Sequence, residues 1–236
     1  LDIYVDNSLL SYQKKRYIDA IMTFKKEFGE EDISIFSAPG RSEISGNHTD
    51  HQKGQVLVAA VNLDAIAVVH KSEQKVVEII SDGYDKIVIS LDNLKPKKEE
   101  EGTTISLVKG VLGELSQRGY TVGGFKAYIT SDVLIGAGLS SSAAFETLIG
   151  TIVSGLYNQM TISPVEIAIV GQKAENVYFG KPCGLMDQMA SSVGNLVYID
   201  FADTEAPVIE PFAFDFEKAG YCICVTDTGG NHVNLT

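Results

Sequence analysis

Gly136-Ala137-Gly138-Leu139-Ser140-Ser141-Ser142-Ala143-Ala144 stands between a strand-like run at 125–129 and an apolar helical run at about 143–157. Glycines let a backbone turn sharply and come close to a ligand. A helix start offers unpaired N–H donors and the positive end of the helix dipole, which together bind phosphate. The hydroxyls of Ser140, Ser141 and Ser142 can bond phosphate oxygens or a Mg²⁺ ion. No Gly-Lys-Ser/Thr follows, so this is not a Walker loop. The plain alternative is a flexible turn with a serine helix cap.

Outward from that stretch the elements alternate irregularly. Tyr17, Ile21, Phe24 and Phe28 share one helical face, and Gly29 suits the helix end. Residues 33–38 alternate as a short strand, and Pro39-Gly40 signals a turn. The apolar, β-branched stretch 56–69 reads as one or two strands. Residues 76–80 and 87–91 read as a strand pair joined through Ser81-Asp82-Gly83. Residues 95–104 form a charged, exposed loop, and 107–115 a helix ending near Gly119. Ser163-Pro164-Val165-Glu166 is a capping box whose helix runs to about Phe179 and stops at Gly180. Residues 196–199 and 221–226 read as strands. There is no internal repeat. The mixed order predicts an α+β fold rather than regular βαβ winding.

Composition narrows the function. The chain has 236 residues, 44% hydrophobic and 21% charged, which is ordinary for a globular domain. Its formal charge of −12 argues against nucleic acid and anionic membrane as partners. An anionic ligand must then be met locally. No apolar run reaches the roughly 20 residues of a membrane span. Residues 1–10 include Asp2 and Asp6 and lack a basic, apolar signal pattern, which predicts a cytoplasmic protein. Cys183, Cys222 and Cys224 are odd in number and lack a second Cys/His pair, so neither disulfides nor zinc is expected.

Two further segments are dense in polar groups. Gly40 to His51 includes Arg41, Asn47, His48 and Asp50. Such density suits a polyhydroxyl ligand, which needs several aimed donors and acceptors; Asp50 could accept from two vicinal hydroxyls. The alternative is a polar surface loop. His48 and His51 alone are a weak metal signal. In Gly180-Lys181-Pro182-Cys183-Gly184-Leu185-Met186-Asp187-Gln188, Asp187 opens a short helix. Its carboxylate is either a helix cap, the simpler reading, or a base held by a rigid turn.

Taken together and in order, these segments resemble the GHMP family of small-molecule kinases, and within it the galactokinases. Residues 24–29 and 37–41 are similar to the galactokinase lead-in, and 46–54 to its sugar-recognition signature. Residues 134–146 are similar to its phosphate loop. Gln172-Lys173-Ala174-Glu175 and 182–188 are similar to its later catalytic segment. The resemblance runs from about residue 17 onward.

It implies a ribosomal protein S5 domain 2-like N-terminal domain over residues 1–236, a mixed sheet with helices on one side, and transfer of the ATP γ-phosphoryl group to a sugar C1 hydroxyl. The backbone of Gly136, Ala137, Gly138, Leu139, Ser140 and Ser141 would wrap the phosphates. Ser142 and Glu175 would hold Mg²⁺, Glu175 being otherwise a solvated helix charge. Asp187 would accept or orient the hydroxyl proton beside Arg41. Asn47, His48, Asp50 and Gly184 would bind the sugar, and Ser81 with Asp82 would lie near adenine. A non-catalytic ATP- and galactose-binding sensor would share most of these motifs.

There are departures from the family pattern. Galactokinases usually read Asn-Leu-Ile-Gly-Glu-His-Thr-Asp-Tyr where this chain has Glu43-Ile44-Ser45-Gly46-Asn47-His48-Thr49-Asp50-His51. Replacing that second-half Glu by Asn47 removes a charge that would repel a C6 carboxylate, so galacturonate is an alternative substrate. Leu134 replaces a usual proline. The family's third Gly-rich motif does not occur. The chain is therefore expected to stop before a second domain, at Gly229–Thr236, and to turn over little by itself.

Overall fold

The computed structural model describes residues 4, 7–29, 32–203, 206–216, 218–224 and 226. Its centre is one long strand, β2 (Gln55–Ser72). The sequence left open whether this run was one strand or two, and Asn62 and Asp64 do not break it. β1 (Ser34–Ser45) pairs antiparallel along one side of β2. The other side is shared. Residues 65–72 pair antiparallel with β5 (Gly124–Ser131), and residues 55–59 with β6 (Leu196–Asp200). β3 (Val76–Ser81) lies parallel to β5 and antiparallel to β4 (Ile87–Ser90). β7 (Val208–Phe212) closes the far edge on β6. The sheet of seven described strands is thus mixed, in the order β4-β3-β5-β2-β6-β7 with β1 on β2.

Alternation along β2 separates two cores. Ala65, Ala67 and Val69 face the main core, with α2 (Thr104–Gln117), α3 (Ser141–Asn158) and α4 (Pro164–Lys173). Ile66 and Val68 face the other way, onto Ala20 and Phe24 of α1 (Leu10–Phe28). Burial on both faces explains the unbroken apolar pattern of the strand. It also corrects the expected one-sided arrangement, because α1 covers the opposite face. A third cluster joins Val56 and Val58 of β2 to Met186, Met189 and Ala190 of α5 (Met186–Val193).

Other expectations change locally. Pro39-Gly40 is not a turn but lies within β1, at a register shift against β2 between Pro39 and Arg41. At that irregularity the Arg41 N–H leaves the ladder and bonds Leu139 O at 3.1 Å. The helix after Pro164 ends as a π-helix (Ala174–Phe179) before Gly180. Of the strand expected at 221–226, residues 221–224 and 226 are irregular, and Val225 lies outside the described residues. Residues 229–236, where the chain was expected to stop short of a second domain, also lie outside them. β7 lies outside the strands expected from sequence; it contains Pro211, which its edge position tolerates.

A buried polar knot ties α1 to the sheet. Arg16 donates to Asp64 Oδ1 at 2.7 Å and lies 3.1 Å from Asp132, while Tyr4 donates to Asp64 Oδ2 at 2.7 Å. Among the described residues no helix is long and apolar enough to cross a membrane.

Candidate active site

The phosphate-loop stretch bridges β5 and α3. Gly136 and Gly138 adopt φ of 77° and 73°, a region open to glycine at little cost. The side chain of Leu139 is buried with Val133 and Ala144, which anchors the loop to the body. Ser140 precedes α3 in a left-handed conformation and makes no side-chain cap bond, contrary to the serine-cap reading. Its hydroxyl instead donates to Asp187 Oδ2. The first-turn N–H groups of α3 therefore have no serine cap competing for them.

Asp187 is the second residue of α5, and it caps nothing. Arg41 holds it in a two-point grip, Nε to Oδ1 at 2.7 Å and Nη2 to Oδ2 at 2.6 Å. The remaining Arg41 nitrogen donates to Gly138 O. One guanidinium thus fixes the acid and the loop together, and a planar fork is suited to both. Burial pushes the Asp187 carboxyl up, but the Arg41 and Ser140 bonds and the Arg41 charge outweigh it and hold it below the usual range.

The cap expected of Asp187 is supplied from elsewhere. Asp50 Oδ2 accepts the Met186 N–H at 3.2 Å, at the first turn of α5. Its Oδ1 accepts the His51 N–H at 2.9 Å. Gly184 packs so closely on this carboxylate that a Cβ would sit 1.7 Å from Oδ2, so no side chain fits there. Asp50 is 4% exposed and committed to joining the 46–51 segment to the 184–187 turn. Asn47 and His48 are exposed beside it, both left-handed, with φ of 56° and 53°.

Glu175 is 5% exposed, so the solvated-charge reading does not hold. Ser142 Oγ lies 3.5 Å from its Oε1. Gln188 Nε2 donates to its Oε2 at 2.9 Å and to Glu146 Oε2 at 3.1 Å. Glu146 is 1% exposed, and its second oxygen has no protein partner. Burial, and then the Glu175 charge, push the Glu146 carboxyl well above its ordinary value. Ser142 and Glu175 are hard oxygen donors, and together they suit Mg²⁺, which usually takes one or two protein oxygens and fills its shell with phosphate and water. Among the described residues no group of three or more His, Cys, Asp or Glu could hold a metal by itself.

A cavity of about 830 Å³ opens on the N-terminal end of α3. Its walls include Ile79, Ile87, Ile129 and Phe145, with Ser81 and Asp82 at the rim and Ser141 and Ser142 at the helix end. The structure therefore places Ser81 on the same cavity as the phosphate loop. Leu134, 54% exposed, lines it too.

The sequence reading gave no role to Glu146, Gln188, Asn176 or Glu43. Glu146 had left a signal, a lone acid among the apolar residues Phe145, Leu148 and Ile149 of a helix. Gln188 left none beyond its place next to Asp187.

The comparisons with known proteins agree with this geometry. The galactokinase galactose-binding signature matches residues 22–71, and the GHMP kinases N terminal domain matches residues 106–195. The chain thus carries a galactose-binding signature of the galactokinases followed by an N-terminal domain of the GHMP kinases. It is 40% identical over 178 residues to a galactokinase of Pyrococcus furiosus, a match covering 75% of this chain and 49% of that relative. It is 35% identical over 172 residues to a galactokinase of Clostridium tetani, covering 72% and 43%. The chain thus spans about half the length of the curated relatives it matches. The structure of Lactococcus lactis galactokinase complexed with galactose superposes with a TM-score of 0.75 at 27% identity, covering 85% of this chain and 53% of that one. Methanococcus jannaschii mevalonate kinase shares the fold, with a TM-score of 0.64 at 19% identity over 80% of this chain and 58% of that one. The GHMP kinase relatives share the α+β architecture of mixed sheet and helices.

Proposed function

We propose that residues 1–236 are the GHMP N-terminal domain of an enzyme that phosphorylates the C1 hydroxyl of galactose or a close relative, using ATP and giving sugar 1-phosphate and ADP. One observation carries the reading. Asp187, Arg41 and the phosphate loop form a single bonded unit, next to a galactose-binding signature.

In the reaction the sugar oxygen bonds to the γ-phosphorus, and the bond from that phosphorus to the β-phosphate oxygen breaks. The transition state is loose, so positioning and charge do most of the work. First-turn N–H groups of α3 and the loop from Gly136 to Ser142 hold phosphate oxygens. Arg41 meets charge on the transferring group. Asp187 is ionised at neutral pH and receives the hydroxyl proton. Its lowered carboxyl value makes it a weak base, so it holds the hydroxyl in line first and takes the proton late, once bonding to phosphorus has made the oxygen acidic. Ser142 and Glu175 would hold Mg²⁺, which would supply positive charge to neutralise the negative charge developing on the phosphates. The cavity walls take adenine, with Ser81 and Asp82 at its rim. His48, Asn47 and the Gly184 backbone line the sugar, and Asp50 supports that wall. The partners are thus ATP and a sugar, with no nucleic acid or membrane involved, in a cytoplasmic enzyme.

The test is ADP release by the full-length protein with and without galactose, with the product identified by phosphorus NMR. Sugar-dependent release and a sugar 1-phosphate are expected. Binding of both ligands without release would sink the enzyme reading and leave a sensor.

A further inference from the structure

Glu43 has no part in the chemistry above, yet it lies beside it. It stands two residues beyond Arg41 on β1, so both side chains leave the strand on one face, roughly 7 Å apart along it. Its cross-strand partner is Val58, which is buried against Met186 and Met189 of α5. That shared face looks toward the helix carrying Asp187. The Glu43 carboxylate accepts the His48 N–H through both oxygens, at 2.8 and 3.0 Å, and its Oε2 lies 3.9 Å from His48 Nδ1. The Glu43 side chain is 19% exposed, against 54% for His48. His48 stands two residues before Asp50, whose carboxylate takes the Met186 N–H immediately before Asp187. Asp187, His48 and Glu43 therefore border one stretch of surface, with Asp187 at one end and Glu43 at the other.

Asn47 sits in the same turn, left-handed and exposed. Asparagine tolerates that conformation better than most residues. Its amide brings no charge. The negative charge at this end of the surface belongs to position 43.

We propose that Glu43 determines sugar specificity. With the reacting hydroxyl at Asp187, the remote end of the sugar meets the Glu43 carboxylate. A remote hydroxymethyl group donates a hydrogen bond to it. A remote carboxylate meets a like charge in a half-buried setting and is rejected. The substrate class is then a neutral hexose rather than a hexuronate, despite Asn47. This rests on the sugar-kinase reading.

The test compares kcat/KM for galactose, galacturonate and arabinose in the full-length protein, in wild type, Glu43→Gln and Asn47→Glu. Glutamine keeps an acceptor for the His48 N–H and removes only the charge. Wild type is expected to favour galactose. Glu43→Gln should raise the galacturonate-to-galactose ratio by about tenfold or more, with an unchanged melting temperature. Asn47→Glu should change the ratio by less than Glu43→Gln does. Arabinose, one carbon shorter at that end, should respond little to Glu43→Gln. Wild-type preference for galacturonate, or an unchanged ratio in Glu43→Gln, would overturn the proposal. If no sugar is turned over, the kinase reading falls by itself. The ratio of the two sugars' dissociation constants, by calorimetry, then decides the Glu43 proposal in the same way, and absence of binding by either sugar overturns it.

Discussion

Two acidic sites meet at α5, and the protein treats them in opposite ways. Asp187 faces the cleft and is gripped at both oxygens by an arginine, with a serine hydroxyl added. Its neighbour Gln188 faces inward, where one amide nitrogen serves two buried carboxylates, Glu146 and Glu175. The first carboxyl is held below its ordinary value in spite of burial, and Glu146 is pushed above it by burial and by Glu175. Such divergence assigns different tasks to chemically equal groups. On the proposed reading, Asp187 is kept charged where it is to receive a proton. Burial favours the neutral form of Glu146.

The largest effect should come from breaking the outer site. Asp187→Asn keeps the shape and removes the proton acceptor, and kcat should fall by about 10²–10⁴-fold while ATP still binds. Rapid-quench product formation checks this; a fall of less than about tenfold would reduce Asp187 to an orienting group. Breaking the inner site should act on stability instead. Gln188→Leu fills similar space but takes the only side-chain amide from two buried carboxylates, and should cost about 2 kcal/mol in urea unfolding at neutral pH. Adding Glu146→Gln should recover part of that loss, because the two residues share a hydrogen bond.

The same contrast has a pH signature. The Glu146 carboxyl lies higher in the folded than in the unfolded chain. Its contribution to stability is therefore complete below the unfolded value and is lost as pH rises through the folded one. Asp187 has the reverse sign, contributing above the unfolded value and losing that as pH falls through its lowered one. Glu146→Gln should thus gain on wild type as pH rises past the unfolded carboxyl value. Urea unfolding across the pH range checks it. A constant difference would mean that Glu146 does not titrate differently on folding.

The outer site was far easier to read from sequence than the inner one. Glycine and serine runs, Arg41 and Asp187 announce themselves because their chemistry is local and their residue types are unusual in context. Gln188, Glu146 and the π-helix do not, because their roles arise only when three helices pack. Asp187 was first read as a helix cap, and the cap turned out to come from Asp50, over a hundred positions away, which no local pattern reveals. In the fold, periodicity marked most elements. It failed at Pro39-Gly40, where cross-strand pairing overrides turn chemistry, and at Pro211, where an edge position excuses a missing donor.

The two acidic sites are also linked through the chain between them, and Asn176 tests that link. It sits in the π-helix next to Glu175, and its side chain takes hold of one backbone unit in the turn leading to Asp187. Oδ1 accepts the Cys183 N–H at 2.6 Å, and Nδ2 donates to Cys183 O at 3.3 Å. Gln172 reaches the same carbonyl at 3.4 Å. The group is exposed, so water can replace it, and Asn176→Ala should cost only about 1 kcal/mol. Asn176→Asp should cost more, since its second oxygen would face the Cys183 carbonyl. Sugar KM should rise with kcat nearly unchanged, because the turn carrying Gly184 loosens while the Arg41 grip on Asp187 remains. If both stability and KM stay at wild-type values in Asn176→Ala, the inner and outer sites are held independently by their own helices. The coupling would then rest on α5 alone.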